Sequence, residues 1–282
     1  MKKKRFILGV AQFGLNYGIL NRFNLNKKNE LKKILNFSKK KGIKSLYTSK
    51  HYGKANKLLA SENLKFFKIF AKFKSKDLIN RNFIKNFDKI KIELRNNDLI
   101  LMLDGFENCN SKLKEKIYNF LLDLKKKKII NKFGYSIYSF KNLKKICAKF
   151  KPNILQCPYN VVDRRLEEKN LLQFLKINKI EIHVRSIFLQ GLLIPHYSKL
   201  PKKFLKWKEN FKIFQEQMSY YKISNLNGCL NFILKNNYID KILVGVDNIN
   251  QLKEIINTKL NKKIKFPIIN IKNEKLINPS KW

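Results

Sequence analysis

The sequence predicts an α/β protein built as a TIM (β/α)8 barrel, on three observations. Eight short apolar runs lack the polar–apolar alternation of half-exposed strands, so they read as strands covered on both faces, as in parallel sheets. Between them lie stretches with apolar residues three and four positions apart, the period of a helix that buries one face. The 282 residues accommodate eight such units as one domain spanning 1–282, without a linker, an internal repeat beyond the unit itself, or an extended low-complexity tract.

In chain order the predicted strands are Phe6–Phe13, Ile43–Ser49, Phe66–Phe73, Leu99–Asp104, Lys132–Ile137, Ile154–Pro158, Glu181–Phe188 and Lys241–Val246. The basic, apolar start MKKKRFILGVAQFGL resembles a leader, but the run breaks at Gln12 with no small-residue cleavage site, so it reads as the first strand. Predicted helices cover Glu30–Lys41, Asp77–Arg95, Lys112–Lys127, Phe140–Phe150, Glu167–Ile177, Phe204–Tyr221 and Ile249–Leu260, with an extra one at Leu226–Lys235 before the last strand. Ser111 and Ser139 are placed to cap two of them. Lys125–Lys128 reads as the solvated end of a helix.

Composition excludes several function classes. No apolar run approaches the roughly 20 residues of a membrane span. Cys109, Cys147, Cys157 and Cys229 are scattered, which fits a reducing, cytoplasmic setting and gives neither a disulfide framework nor a metal ribbon. The three histidines are not spaced as ligands, so no metal is expected. The net charge is +42, yet only seven of the 62 basic residues are Arg, and the lysines run along the whole chain. Lys, Asn and Ile are over-used together, the mark of compositional drift on a solvated surface rather than of a specific nucleic-acid interface with Arg forks and stacking aromatics. Such a field would still help recruit an anionic cofactor or substrate.

Barrel active sites sit where strands end. The residues there are Gln12, the Tyr47–Tyr52 stretch, Lys72, Asp104, Ser136, Gln156, Arg185–Ser186 and Gly245. A lysine closing a strand buried on both faces needs a partner. Asp104 precedes Gly105 and also reads as a turn residue, and His51 reads as solvent-facing.

The segments GVAQFGLNYGI, SLYTSKHYG, FAKF, FGYSIYS, ILQCPYNVVDRRLE, HVRSIFLQGLL and LVGVDNINQLKEI, in this order and spacing, make the chain resemble the aldo/keto reductase family along nearly its whole length. ILQCPYNVVDRRLE and HVRSIFLQGLL are close to a branch often linked with bacterial sugar and polysaccharide biosynthesis. The resemblance implies hydride transfer from NADPH or NADH to a small or sugar-derived carbonyl. It also implies a tetrad of Asp, Tyr, Lys and His. Tyr52 stands at the position of the tyrosine that protonates the carbonyl oxygen, and Lys72 at that of the ammonium that acidifies it. Two positions depart: Tyr47 stands where the Asp is usual and Asp104 where the His is usual. Because the third and fourth strands are neighbours, Asp104 is expected within ion-pair reach of Lys72, replacing the missing carboxylate.

For the cofactor, the resemblance assigns Ser136 and Gln156 to the nicotinamide amide, and Ser186, Gln190 and Gly191 to the diphosphate. Gly245, Gln251 and Glu254 fall to the adenosine end, and Arg185 stands where an aromatic often stacks on nicotinamide. No Arg is placed to clamp a 2′-phosphate and Asp247 would repel one, so both cofactors stay open. The alternative is a non-catalytic barrel that retains cofactor binding.

Overall fold

The computed structural model describes residues 2–19, 27–95 and 98–282, among which eight parallel strands close into a barrel. They are β1 (Phe6–Gly9), β2 (Ser45–Ser49), β3 (Lys68–Lys74), β4 (Leu99–Asp104), β5 (Phe133–Ser136), β6 (Ile154–Pro158), β7 (Glu181–Arg185) and β8 (Lys241–Gly245). The ladder from Phe6↔Ile242 to Gly9↔Gly245 joins β1 to β8 and closes the circle. Outside lie α1 (Ala11–Gly14), α2 (Lys27–Lys41), α3 (Ala55–Ala60), α4 (Phe83–Glu93), α5 (Ser111–Lys126) and α6 (Leu143–Lys149). They are followed by α7 (Leu171–Ile177), α8 (Lys208–Tyr220), α9 (Asn225–Lys235), α10 (Ile249–Asn257) and α11 (Glu274–Ile277).

The departures from the sequence reading fall at element ends. The first strand stops at Gly9 and its predicted remainder becomes α1, which buries Ala11 and Phe13. A short apolar run has no period that separates strand from helix. The single turn and a half of α3 was not expected. The predicted helix Asp77–Arg95 breaks at Asn80, whose Oδ1 accepts the Asn82 amide and ends a short 3-10 turn before α4 begins. The predicted helix from Glu167 starts only at Leu171, after left-handed Lys169 and Asn170. Asn110, not Ser111, caps α5 by accepting the Leu113 amide at 2.8 Å. Ser139 instead turns the chain by accepting the Lys141 amide, and α6 begins after left-handed Asn142.

Two apolar shells follow from strand alternation. Outward residues such as Leu46, Ala71, Leu101 and Ile182 join the large core under the helices. Inward residues Ile7, Tyr47, Phe70, Ile100, Met102 and Ile154 form a second cluster that plugs the barrel. The ladder registers stack the inward side chains in layers drawn from alternate strands. Ile7, Phe70, Gly134 and His183 lie low; Tyr47, Met102, Gln156 and Leu243 lie above them; Gly9, Lys72, Ser136 and Arg185 form the upper layer. Arg5 fastens β1 to the frayed end of α9, donating to the carbonyls of Leu234, Asn236 and Ile239.

One close approach positions the site. α1 lies so near the loop after β2 that a Cβ on Gly14 would collide with the Tyr52 carbonyl and come 2.6 Å from the Ala55 nitrogen. Gly14→Ala should therefore force the Tyr52 loop outward. The expected cost is about 1–3 kcal/mol, the usual range for overpacking, read as a lower urea midpoint at unchanged slope.

Candidate active site

A cavity of about 720 Å³ opens at the C-terminal ends of the strands. Tyr52, Lys72, Asp104 and Arg185 reach it, and the ring of Tyr47 forms part of its floor. Ser186, Gln190 and Gly191 line it after β7, and Gly245, Gln251 and Glu254 after β8. Ser136 and Gln156 do not line it. They lie beneath, 1% and 0% exposed, with Ser136 Oγ donating to Gln156 Oε1 at 3.1 Å and Gln156 Nε2 buried without a partner.

Tyr47 is committed downward. Its hydroxyl lies 2.8 Å from His183 Nδ1, and His183 Nε2 lies 3.0 Å from Glu181 Oε1. The hydrogen bond from His183 holds the Glu181 carboxyl below its usual range, and burial holds the His183 imidazole below its own. An ionised carboxylate only accepts, so Nε2 carries the proton, Nδ1 is the acceptor and Tyr47 is the donor. Tyr47 holds one of the tetrad positions, and its hydroxyl proton is directed to His183 under the floor. Burial raises its phenol well above the ordinary value.

Lys72 sits above that floor, 8% exposed, with its ammonium 5.6 Å from the centre of the Tyr47 ring. The expected ion pair with Asp104 is not formed. In the ladder Asp104 stands opposite Lys74, while Lys72 stands opposite Met102, and among the described residues no carboxylate lies within 4.0 Å of the Lys72 amine. Strand neighbours meet only at matching register, and Asp104 is two positions too far along. A π face is a weaker partner than a carboxylate. Burial and the nearby charge of Arg185 lower the Lys72 pKa to about 7, against a smaller opposing pull from Asp104.

Arg185 is 7% exposed. Nη1 donates to Ser186 Oγ at 3.2 Å, Nη2 donates to the Ile137 carbonyl at 3.0 Å, and the guanidinium lies flat over the Tyr138 ring at 3.7 Å. Tyr52 is raised first by burial, then by Tyr17; Arg185 is the charge that lowers it, and Asp104 raises it. A Lys72 that loses its proton near 7 is neutral where a phenol ionises, so the cation acting on Tyr52 is Arg185. Sequence position had given that role to Lys72. His51, read as solvent-facing, is exposed at the rim and meets Asp77 at 3.4 Å.

The residues fit a dinucleotide. Ser186, Leu189, Gln190 and Gly191 have left-handed backbone, and the loop they shape lines the cavity after β7. The amino end of α10, capped by Asn248 on the Gln251 amide, faces the same cavity. Sequence reading missed Tyr17 and Tyr138 on the wall and the Glu181–His183 pair beneath it. The alternation Glu181, His183, Arg185 along β7 carried that signal.

The aldo/keto reductase family model matches residues 5–267. Among solved structures, the glycerol dehydrogenase of Gluconobacter oxydans superposes with a TM-score of 0.68 at 16% identity, covering 90% of this chain and 86% of that one. A Pseudomonas aeruginosa protein assigned to the aldo-keto reductases superposes with a TM-score of 0.63 at 14% identity, covering 90% and 88%. At these identities the superpositions speak for the fold. No curated protein matches the sequence.

The depressed Lys72 has a signature in stability. Between about 7 and its ordinary 10.5 the unfolded chain holds the proton and the folded one does not. The penalty of burying the charge is therefore full below about 7 and is relieved as pH rises toward 10.5. Cofactor-free Lys72→Met should unfold at higher urea than wild type near pH 6, with the gap closing toward pH 10. A gap that is the same at both ends would mean that the amine is not depressed.

Proposed function

The chain belongs to the aldo/keto reductase family, and on that footing we propose that it is an oxidoreductase reducing a small carbonyl, sugar-derived ones included, with NADH or NADPH as hydride donor. The observation that carries the reading is Tyr52 on the wall of a cavity that also holds the left-handed run after β7 and the amino end of α10. Ser186, Gln190 and Gly191 would hold the diphosphate, and Gly245, Gln251 and Glu254 the adenosine end. Gln156 has an unpartnered amide in the same layer as the Tyr47 ring that forms the floor. The bound nicotinamide supplies hydride; the chain's own residues manage the proton and the charge.

Tyr52 gives its proton to the carbonyl oxygen as negative charge develops there. Burial opposes ionisation of the phenol, and the permanent charge of Arg185 partly offsets it. Lys72 adds a second positive charge only while protonated. Asp104 works against Tyr52 when ionised; in its neutral form it donates a hydrogen bond to substrate. The lysine-rich surface is read as solvated rather than as a nucleic-acid site, and the setting as cytoplasmic.

A second reading is favoured by the missing ion pair: a barrel that binds cofactor without turning over. Nicotinamide fluorescence measures binding, and a panel of aldehydes and sugars measures turnover. If wild type binds but reduces nothing, while Tyr47→Asp with Asp104→His creates activity, the second reading holds. If the enzyme is active, Tyr52→Phe should lower turnover by roughly 10²–10⁴, the contribution of general acid catalysis, and leave cofactor affinity within twofold. Asp104→Asn should raise the rate if the carboxylate opposes Tyr52, and lower it if the carboxyl hydrogen-bonds substrate.

A further inference from the structure

The upper inward layer of the barrel is unusual in charge. It is built from Gly9, Lys72, Ser136 and Arg185, so two long cations face each other across a glycine and a serine. Both are more than nine-tenths buried, and both line the cavity. Neither has a carboxylate within 4.0 Å; the ion pairs of the described residues lie elsewhere. The Arg185 donors that are satisfied go to a hydroxyl and a carbonyl, both neutral, and its Nε is buried without a partner. Asp104 acts on both cations from a distance. A buried positive charge left without an anion is expensive, and two in one layer are more so. A structural ion pair would have placed its acid on the page. What remains is a place for an anion that arrives from outside.

From this, and resting on the reductase reading for its reaction, we infer that Lys72 and Arg185 form a receptor for an oxyanion on the substrate, and that the substrate class is a short oxo acid. The guanidinium is held flat by Tyr138, and its planar fork suits the two coplanar oxygens of a carboxylate better than a tetrahedral phosphate. Arg185, Lys72 and Tyr52 line the same cavity, so the anion and the carbonyl that Tyr52 protonates share it. The carboxylate is therefore separated from the carbonyl by few carbons. Its arrival also supplies the counter-charge that the protein withholds from Lys72. An anion beside the amine favours the ammonium form, so a charged substrate brings a second cation to the site and a neutral aldehyde does not.

The test has a binding arm and a turnover arm. Calorimetry on cofactor-free protein uses oxalate, inorganic phosphate and neutral oxamide as probes. Oxalate should bind, oxamide should not, and Arg185→Met should weaken oxalate by about 100-fold, the scale expected when one partner of a buried charge pair is removed. In turnover, kcat/KM for glyoxylate should exceed that for propanal by about 100-fold in wild type, and Arg185→Met should collapse the ratio. Arg185→Lys keeps the charge and loses the fork. It should give an intermediate oxalate affinity, and it serves if the Met variant does not fold.

Several results overturn the inference: no oxalate binding by wild type, equal rates for glyoxylate and propanal, or phosphate binding that Arg185→Met weakens more than it weakens oxalate. It also falls if Arg185→Met weakens NADH or NADPH binding while leaving oxalate affinity intact, because Arg185 then serves the cofactor. If no carbonyl is turned over but oxalate binding depends on Arg185, the receptor stands and the reductase reading fails.

Discussion

A closed eight-stranded barrel must fill its own interior, and that constraint governs the rest of this molecule. Inward side chains meet only in layers set by the ladder register, so a change at one position is answered within its layer or the next. Tyr47 is the case in point. Tyr47 occupies the middle of the plug, stacks on Phe70 at 4.6 Å and passes its hydroxyl to His183 below. The same ring becomes the surface on which Lys72 rests. Tyr47 thus links a buried hydrogen-bonded chain below it to the amine of the layer above.

At Lys72 four effects compete, and burial wins. The pull of Asp104 and the π face of Tyr47 both favour the ammonium, while desolvation and Arg185 oppose it, leaving the amine at about 7. Arg185 does not yield its proton, because guanidinium remains charged in any protein setting. The permanent positive charge in this layer is therefore that of Arg185 on β7. Tyr52 keeps a cation acting on it, although a different one from that expected at its position.

The wall combines loop backbone with the side chains of Tyr17, Tyr52 and Tyr138. At the amino end of α10 the Gln251 amide is taken by Asn248. Glu30 reaches from α2 to accept the Ile249 amide at 3.1 Å, so the first turn of α10 is held by the neighbouring unit. The basic surface adds a long-range field, but binding geometry is local.

The sequence by itself determined the barrel and the addresses of the site. Double-sided burial leaves unbroken apolar strands and single-sided burial leaves a helical period, and both are visible in one dimension. β4 and β6 were legible to the residue. Tyr52, Lys72, Asp104 and Arg185 were legible as strand-end residues because chain order alone assigns them to one rim. Tertiary structure decided which of them touch. Register, a property of two strands together, put Asp104 opposite Lys74 and left Lys72 without an acid. It also brought His183 under Tyr47, 136 residues away in the chain. Charge state followed from those placements, because a pKa depends on burial and neighbours that no single position in a sequence contains.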